Sequence, residues 1–251
     1  CNTGQQRMDD EALSKLQTIA KRQWTRTLND DLGISLTEQS RRGSTAKLPV
    51  QENLLSDKQE HKIFWGPEDK HNDKWKSEFV LQPGELKNNR GELYNLSISR
   101  GTLNDEERFI INNHIIQTIE MIDCLPFPPH LKGVPEIVGG HHERIDGGGY
   151  PRGIKSSELS VQARVMAVAD IFEALTSRER PYKKAHSLEE TTKIMTDMAI
   201  GGHLDPKLFL LFLEQNLDEI YAHEFLSQKN SDPSLKQENI VRLRNYIKTL
   251  A

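Results

Sequence analysis

The chain has 251 residues, of which 35% are hydrophobic and 28% are charged, and its formal net charge is −4. This length suits one large domain with or without a smaller appendage, whereas the weak negative charge without a Lys/Arg-rich block argues against DNA as a partner. No apolar run approaches the ~20 residues of a membrane span. Because Cys1 and Cys124 are too few for a disulfide framework, we expect reduced thiols and a cytoplasmic location.

The first predicted element is an amphipathic helix from Asp10 to about Arg26, with apolar residues at helical spacing and acidic residues in its first turn. After Gly33 this periodicity disappears, and residues 36–90 are polar and interrupted by prolines. The apolar clusters at residues 54–55, 63–65 and 79–81 are consistent with either short strands or packed loops. We therefore predict one helix and an irregular segment over residues 1–90.

The second part, residues 91–226, contains the predicted core. Helix-start signals precede each apolar periodic run, and they lie at Asn104, Pro135, Ser160, Ser187 and Asp205. The predicted helices end near Cys124, His142, Ser177, Gly201 and Leu217. No alternating strand pattern competes with them, so the predicted fold class is all-α. Residues 227–251 are predicted to form a polar linker and a last amphipathic helix.

Three histidines and one aspartate are candidate metal ligands. His141 and His142 end a predicted helix, so their side chains should point about 100° apart and could each bind one ion of a close pair. His114 lies on or beside the apolar face of its helix, where a hydrogen-bonded core histidine is the alternative. Asp170 lies in the apolar run 165–172, and we expect it to be buried and partnered by a metal ion, or else exposed or paired with an arginine.

The most specific signal follows the histidine pair. Residues 141–151 read HHERIDGGGYP, in which three glycines allow positive φ and close backbone approach to a ligand. Tyr150 offers a ring for stacking on a base. The stretch matches H-H-E-x-x-D-G-x-G-Y-P, and the chain resembles the HD-GYP domains, all-α phosphodiesterases that hydrolyse cyclic di-GMP. The resemblance continues through A-V-A-D, A-L-T-S, R-P-Y-K and G-H-L-D-P over residues 101–213.

The resemblance implies a helical bundle like that of other HD domains and a role for each matching position. The metal ligands that it implies are His114, His141, His142 and Asp170. The substrate-binding residues that it implies are Gly147, Gly148, Gly149, Tyr150, Arg180 and Lys183, the last two as phosphate contacts. Solvated helix-end charges are the alternative for Arg180 and Lys183. The implied cofactor is a pair of divalent metal ions, Fe or Mn before Mg, Ni or Zn.

One element of the family is absent from the sequence. HD-GYP domains carry H-D-x-G-K just before the part that matches, and this element would supply two ligands and a lysine near the attacked phosphate. Residues 91–103 occupy that place and contain no histidine, and His71 with Asp73 is a poor substitute in polar surroundings. The catalytic residues therefore stay unassigned.

Two explanations for this absence are open. In the favoured one, the element precedes Cys1, and residues 1–90 are an insertion like that of an HD-GYP subgroup; a start other than Met agrees with this. In the other, the protein is degenerate and binds nucleotide or protein partners without catalysis, and a purely structural domain is a third reading. The favoured function is hydrolysis of cyclic di-GMP or a related cyclic dinucleotide in second-messenger signalling, with little activity in this chain alone. A homodimer or other signalling proteins are further candidate partners.

Overall fold

The computed structural model describes residues 7–42, 47–67, 69, 77–177, 185–226 and 233–250. The chain divides into two compact units, Cys1–Asp73 with Gln82–Asn112 and Lys74–Leu81 with Asn113–Ala251. Helices predominate among the described residues and only two small sheets accompany them, which confirms the all-α fold class. None of the helices in these ranges is long and apolar enough to cross a membrane.

The first unit combines short helices with two antiparallel strand pairs. Its described helices are α1 (Asp10–Ala20), α2 (Leu36–Arg41), α3 (Glu92–Leu96) and α4 (Asp105–Asn112). Its strands are β1 (Gln23–Arg26), β2 (Val50–Asn53), β3 (Lys62–Phe64) and β4 (Leu86–Asn89). Strand β1 pairs with β2, and β3 pairs with β4. Much of the predicted irregular segment is therefore ordered, because strands distant in sequence satisfy the backbone polar groups.

The predicted extension of the first helix to Arg26 is wrong. Helix α1 ends at Ala20, and the residues that follow form β1. Trp24 and Thr25 are an aromatic and a β-branched residue, which favour strands. The Arg26 guanidinium also donates a hydrogen bond to the Glu52 carboxylate across the strand pair at 3.1 Å, a contact that a helix could not make.

The second unit carries most of the helices. They are α5 (His114–Asp123), α6 (Val134–Gly140), α7 (Val161–Thr176), α8 (Leu188–Ile200), α9 (Pro206–Glu214), α10 (Leu217–Tyr221) and α11 (Pro233–Thr249). The predicted caps are confirmed: the side chains of Ser160, Ser187 and Asp205 each accept a hydrogen bond from a backbone N–H of their helix. The caps lie where the sequence predicts them because capping depends on local chemistry.

Two predicted helices are interrupted in the structure. The helix expected from Asn104 to Cys124 is broken at Asn113, the second of two adjacent asparagines, which are poor helix formers. The helix expected to reach Leu217 ends at Glu214, and Asn216 then adopts a left-handed conformation with φ 56°. The first break makes His114 the first residue of its own helix.

The core of the second unit lies among α7, α8, α9 and α11. Its buried apolar residues include Phe172, Met195, Phe209, Leu213 and Leu243. Phe209, Met195 and Leu243 are completely buried. The last helix contributes Ile240 and Leu243, so its amphipathic pattern reflects packing against the core.

Candidate metal centre

Helix α6 brings the histidine pair close to its two neighbouring helices. A Cβ at Gly139 would lie 3.0 Å from Cγ1 of Ile119 on α5, and a Cβ at Gly140 would lie 3.1 Å from Cβ of Ala163 on α7. Any larger residue at these positions would therefore push α6 away from α5 or α7. The close packing places the end of α6 beside the first residue of α5, which is His114.

The three candidate histidines converge. Ligand nitrogens of His114, His141 and His142 all lie within 4.8 Å of one another. The Nε2 atoms of His114 and His142 are 3.1 Å apart. Two nitrogen ligands that are each about 2.1 Å from one ion, at roughly right angles, have about this separation. The imidazole donor set therefore fits a transition-metal ion.

His141 and His142 follow each other at the end of α6, and their ring centroids lie 4.2 Å apart. The two imidazoles are therefore close enough to serve one ion or a close pair of ions. The His141 Nδ1 is 2.6 Å from the carbonyl oxygen of Val138. An Nδ1–H that donates to this carbonyl leaves the Nε2 lone pair of His141 available to a metal.

The surroundings of His142 favour the neutral imidazole that a metal requires. Burial, together with the neighbouring His141, lowers the pKa of His142 to about 4, and the charge of Asp170 only partly opposes this. The imidazole is therefore uncharged at neutral pH, and no proton needs to leave before metal binding.

The expectation that Asp170 is buried is wrong. Asp170 is exposed on α7, whose buried residues, such as Ala167, Val168 and Phe172, lie on another face. The apolar neighbours of Asp170 do not indicate burial, because Val165 and Met166 are themselves exposed, at 49% and 37%. Asp170 is not part of the imidazole group within 4.8 Å, but its charge acts on both His142 and Tyr150. Its role as a ligand stays a prediction.

The glycine turn, residues 143–153, is shaped by contacts within the protein. Gly147 has φ 83°, a conformation that favours glycine. A Cβ at Gly149 would lie 2.6 Å from the Cα of Glu143, so the close backbone approach here is to the chain itself. The Asp146 carboxylate accepts a hydrogen bond from the N–H of Gly148 at 2.8 Å. Substrate contacts by Gly147, Gly148 and Gly149 stay predictions.

Tyr150 stacks on a candidate ligand. Its ring is 5.0 Å from that of His142 with an interplanar angle of 15°, and its N–H donates to the His142 carbonyl. One face of Tyr150 is thus covered, and stacking on a base, which stays a prediction, would use the other. Burial, followed by the charge of Asp170, raises the pKa of Tyr150, so its phenol keeps its proton.

Glu143 is a structural residue of the site to which the sequence assigned no role. Its buried carboxylate accepts hydrogen bonds from the N–H groups of Arg152, Gly153 and Ile154, at 2.6, 3.2 and 3.2 Å. Burial raises the pKa of Glu143, although these donors oppose the rise. A signal was present, since an acidic residue shortly before a turn rich in free N–H groups is a candidate acceptor.

Other predicted residues fall outside the site or outside the described ranges. His203 lies in the turn before α9, where its carbonyl oxygen accepts a hydrogen bond from the N–H of Ile145. Arg180 and Lys183 lie outside the described residues, as do His71 and Asp73. The predicted phosphate contacts therefore stay predictions.

Known proteins resemble part of this chain. A sequence profile of the HD domain family matches residues 49–208, more than half of the chain. The match begins inside the predicted N-terminal part, whose boundary at residue 90 stays a prediction. The chain is 38% identical over 112 residues to a 3′3′-cGAMP-specific phosphodiesterase of Vibrio cholerae, covering 43% of this chain and 24% of the relative.

Two further relatives extend this comparison. A cyclic di-GMP phosphodiesterase of Pseudomonas aeruginosa is 36% identical over 115 residues, covering 45% of this chain and 26% of the relative. A cyclic di-GMP phosphodiesterase of Thermotoga maritima is 36% identical over 126 residues, covering 49% and 33%. The matched part of the chain thus spans a quarter to a third of the length of these relatives.

Proposed function

The chain belongs to the HD domain family, and from this premise we propose that it is a metal-dependent phosphodiesterase that hydrolyses cyclic di-GMP or a related cyclic dinucleotide. The observation that carries the proposal is the convergence of the His114, His141 and His142 nitrogens within 4.8 Å. The names of the relatives support the substrate class, because each is a phosphodiesterase of a cyclic dinucleotide.

The histidine cluster would hold one divalent metal ion, and Asp170 would be a ligand of a second ion. We propose Fe or Mn first, and Mg, Ni or Zn as further candidates. A bound ion would supply a Lewis acid for the phosphodiester and lower the pKa of water. The His141 Nδ1 lies against the Val138 carbonyl, which leaves the Nε2 of His141 for the ion, and burial keeps the His142 imidazole neutral.

The chain's remaining residues would bind the dinucleotide. The backbone of the glycine turn would border the ligand, and Tyr150 would offer its uncovered ring face to a base. Arg180 and Lys183 are proposed to neutralise the phosphates. We also propose that the protein is cytoplasmic and forms a homodimer.

Metal analysis and a hydrolysis assay on the complete gene product would test this proposal. We expect bound Fe or Mn and conversion of cyclic di-GMP or 3′3′-cGAMP to a linear dinucleotide or GMP. The variant His141→Ala/His142→Ala should lose the metal and lower the rate by more than about 100-fold. Mutation of residues that only hydrogen-bond metal ligands already lowers metal affinity or activity by roughly 10–100-fold. The control is His130→Ala, an exposed histidine in the turn Pro129–Leu131. A double variant that retains metal and rate would contradict the proposal.

A binding module without catalysis is the second candidate function. The sequence lacks H-D-x-G-K, and among the described residues one group of three candidate ligands is present, enough for a single ion. We therefore expect this chain by itself to hydrolyse slowly or not at all. The binding module would be favoured over the phosphodiesterase if calorimetry showed that the complete gene product binds cyclic di-GMP and no product formed with any of the metal ions tested.

A further inference from the structure

A segment far away in sequence contacts the exit of the glycine turn. Residues 79–81 belong to the same compact unit as the histidines, although more than sixty positions separate them from the turn. The N–H of Val80 donates to the carbonyl oxygen of Pro151 at 2.7 Å, and the N–H of Leu81 donates to the same oxygen at 3.3 Å. Two donors from one segment thus fix one carbonyl of the turn.

Side chains of this segment strengthen the contact. Phe79 is only 7% exposed, and the guanidinium carbon of Arg152 lies 5.7 Å from the centroid of its ring. A cation over an aromatic face is attracted by the ring quadrupole. Val80 covers Gly153, since a Cβ at Gly153 would lie 3.3 Å from Cγ1 of Val80. The segment therefore contacts three consecutive residues of the turn.

Glu143 holds the same stretch through a second set of contacts. Its carboxylate binds the N–H groups of Arg152 and Gly153, whereas residues 79–81 bind the Pro151 carbonyl, the Arg152 side chain and the surface of Gly153. Tyr150 directly precedes this doubly held stretch and stacks on His142. The position of the Tyr150 ring, and with it that of the His142 imidazole, depends on where residues 151–153 are held.

We propose that Phe79 is a positioning residue of the metal centre: together with the backbone of residues 80–81 it fixes the turn exit, so that Tyr150 holds the His142 ring in the orientation for metal binding. The inference rests on the proposed function in one respect, the presence of a metal ion. It assigns a task at the site to a segment that lies outside the residues matching H-H-E-x-x-D-G-x-G-Y-P.

The test follows the His142 ring directly. The Cε1–H resonance of His142 is recorded by NMR in the metal-free chain and assigned by its loss in His142→Gln. Phe79→Ala and Phe79→Leu should shift this resonance, because the stacked Tyr150 ring moves, whereas Phe79→Tyr, which keeps the aromatic face, should restore it. A Co²⁺ titration of the same samples should show a loss of affinity of roughly threefold to tenfold, below the 10–100-fold typical of groups that touch the ligands.

The matched control is Phe209→Leu, which makes the same change at a completely buried position of the helical core. It should lower stability and leave the His142 resonance in place. A folded Phe79→Ala or Phe79→Leu variant with an unchanged resonance would overturn the proposal. Failure of both variants to fold, beside a folded Phe209→Leu, would also overturn it, because Phe79 would then be a core residue. If the chain bound no Co²⁺, only the proposed phosphodiesterase function would be contradicted. The positioning role of Phe79 would still be tested, because the His142 resonance is measured without metal.

Discussion

The helical core and the glycine turn of the second unit keep their shapes by different means. In the core, side chains such as Met195, Phe209 and Leu243 are completely removed from water, and apolar burial stabilises the packing. In the turn, backbone N–H groups converge on the carboxylates of Glu143 and Asp146. The core is stabilised by the sum of many small contacts, whereas the shape of the turn depends on a few polar atoms.

This difference separates stability from site geometry. Core substitutions should change the free energy of unfolding without moving the histidines in the molecules that remain folded. Substitutions in the turn should move His142 even where the total stability changes little.

The largest expected effect is in the core. Phe209→Ala removes a completely buried ring from α9 and should lower the free energy of unfolding by about 3–5 kcal/mol. Urea denaturation followed by circular dichroism measures the loss. Leu211→Ala on the same helix, where the side chain is 51% exposed, is the control and should change stability little. Equal losses in the two variants would mean that apolar burial does not determine the stability of this region.

A smaller effect on stability, with a larger effect on the site, is expected in the turn. In Gly149→Ala the new Cβ would lie 2.6 Å from the Cα of Glu143, so the backbone must shift, at about 1–3 kcal/mol. The shift should separate Tyr150 from His142 and move the His142 resonance in NMR spectra. At Gly148 an added Cβ meets the flexible side-chain ends of Asp146 and Arg144 instead, so Gly148→Ala should be better tolerated. Identical spectra for wild type and Gly149→Ala would contradict the dependence on close approach.

Sequence reasoning succeeded where structure depends on neighbouring residues. The caps at Ser160, Ser187 and Asp205 could be predicted, because each bonds a backbone N–H two or three positions away. The motif likewise identified His141 and His142 as candidates. The convergence of His114 on this pair was implied only by the family resemblance, since ligands this far apart have no diagnostic spacing.

The wrong predictions concern features that depend on contacts between residues far apart in sequence. Strand β1 was predicted as helix because it pairs with β2, from Gln23 with Asn53 to Arg26 with Val50, and a pairing this distant in sequence leaves no periodic signal. Asp170 was expected to be buried because its neighbours are apolar, yet Val165 and Met166 are exposed as well. The contact of residues 79–81 with Pro151 is of the same kind. Only the fold shows which of these residues meet.

One polar group inside the helical core does not follow the division between apolar core and polar turn. The carboxylate of Asp218 is completely buried, and Lys236 on α11 donates to it at 2.8 Å. Lys236 also donates to Glu219 at 3.0 Å and to Asn216 at 2.8 Å, so two carboxylates share one ammonium group. Burial therefore raises the pKa of Asp218 above its usual range, although Lys236 opposes the rise.

The smallest expected effect follows from this group and concerns pH. Because the folded state holds the Asp218 proton more tightly than the unfolded state, whose pKa is about 3.9, the stabilisation is complete below that value and is lost as pH rises through the folded pKa. Wild type should thus lose stability relative to Asp218→Asn from about pH 4 upward, and the difference should level off once Asp218 is ionised in both states. Urea denaturation of both proteins at matched pH values measures that difference, in which the other titrating groups cancel. A wild type that instead gains stability relative to Asp218→Asn with rising pH would mean that the Lys236 charge outweighs burial, and that this part of the core is held by charge in the way the glycine turn is.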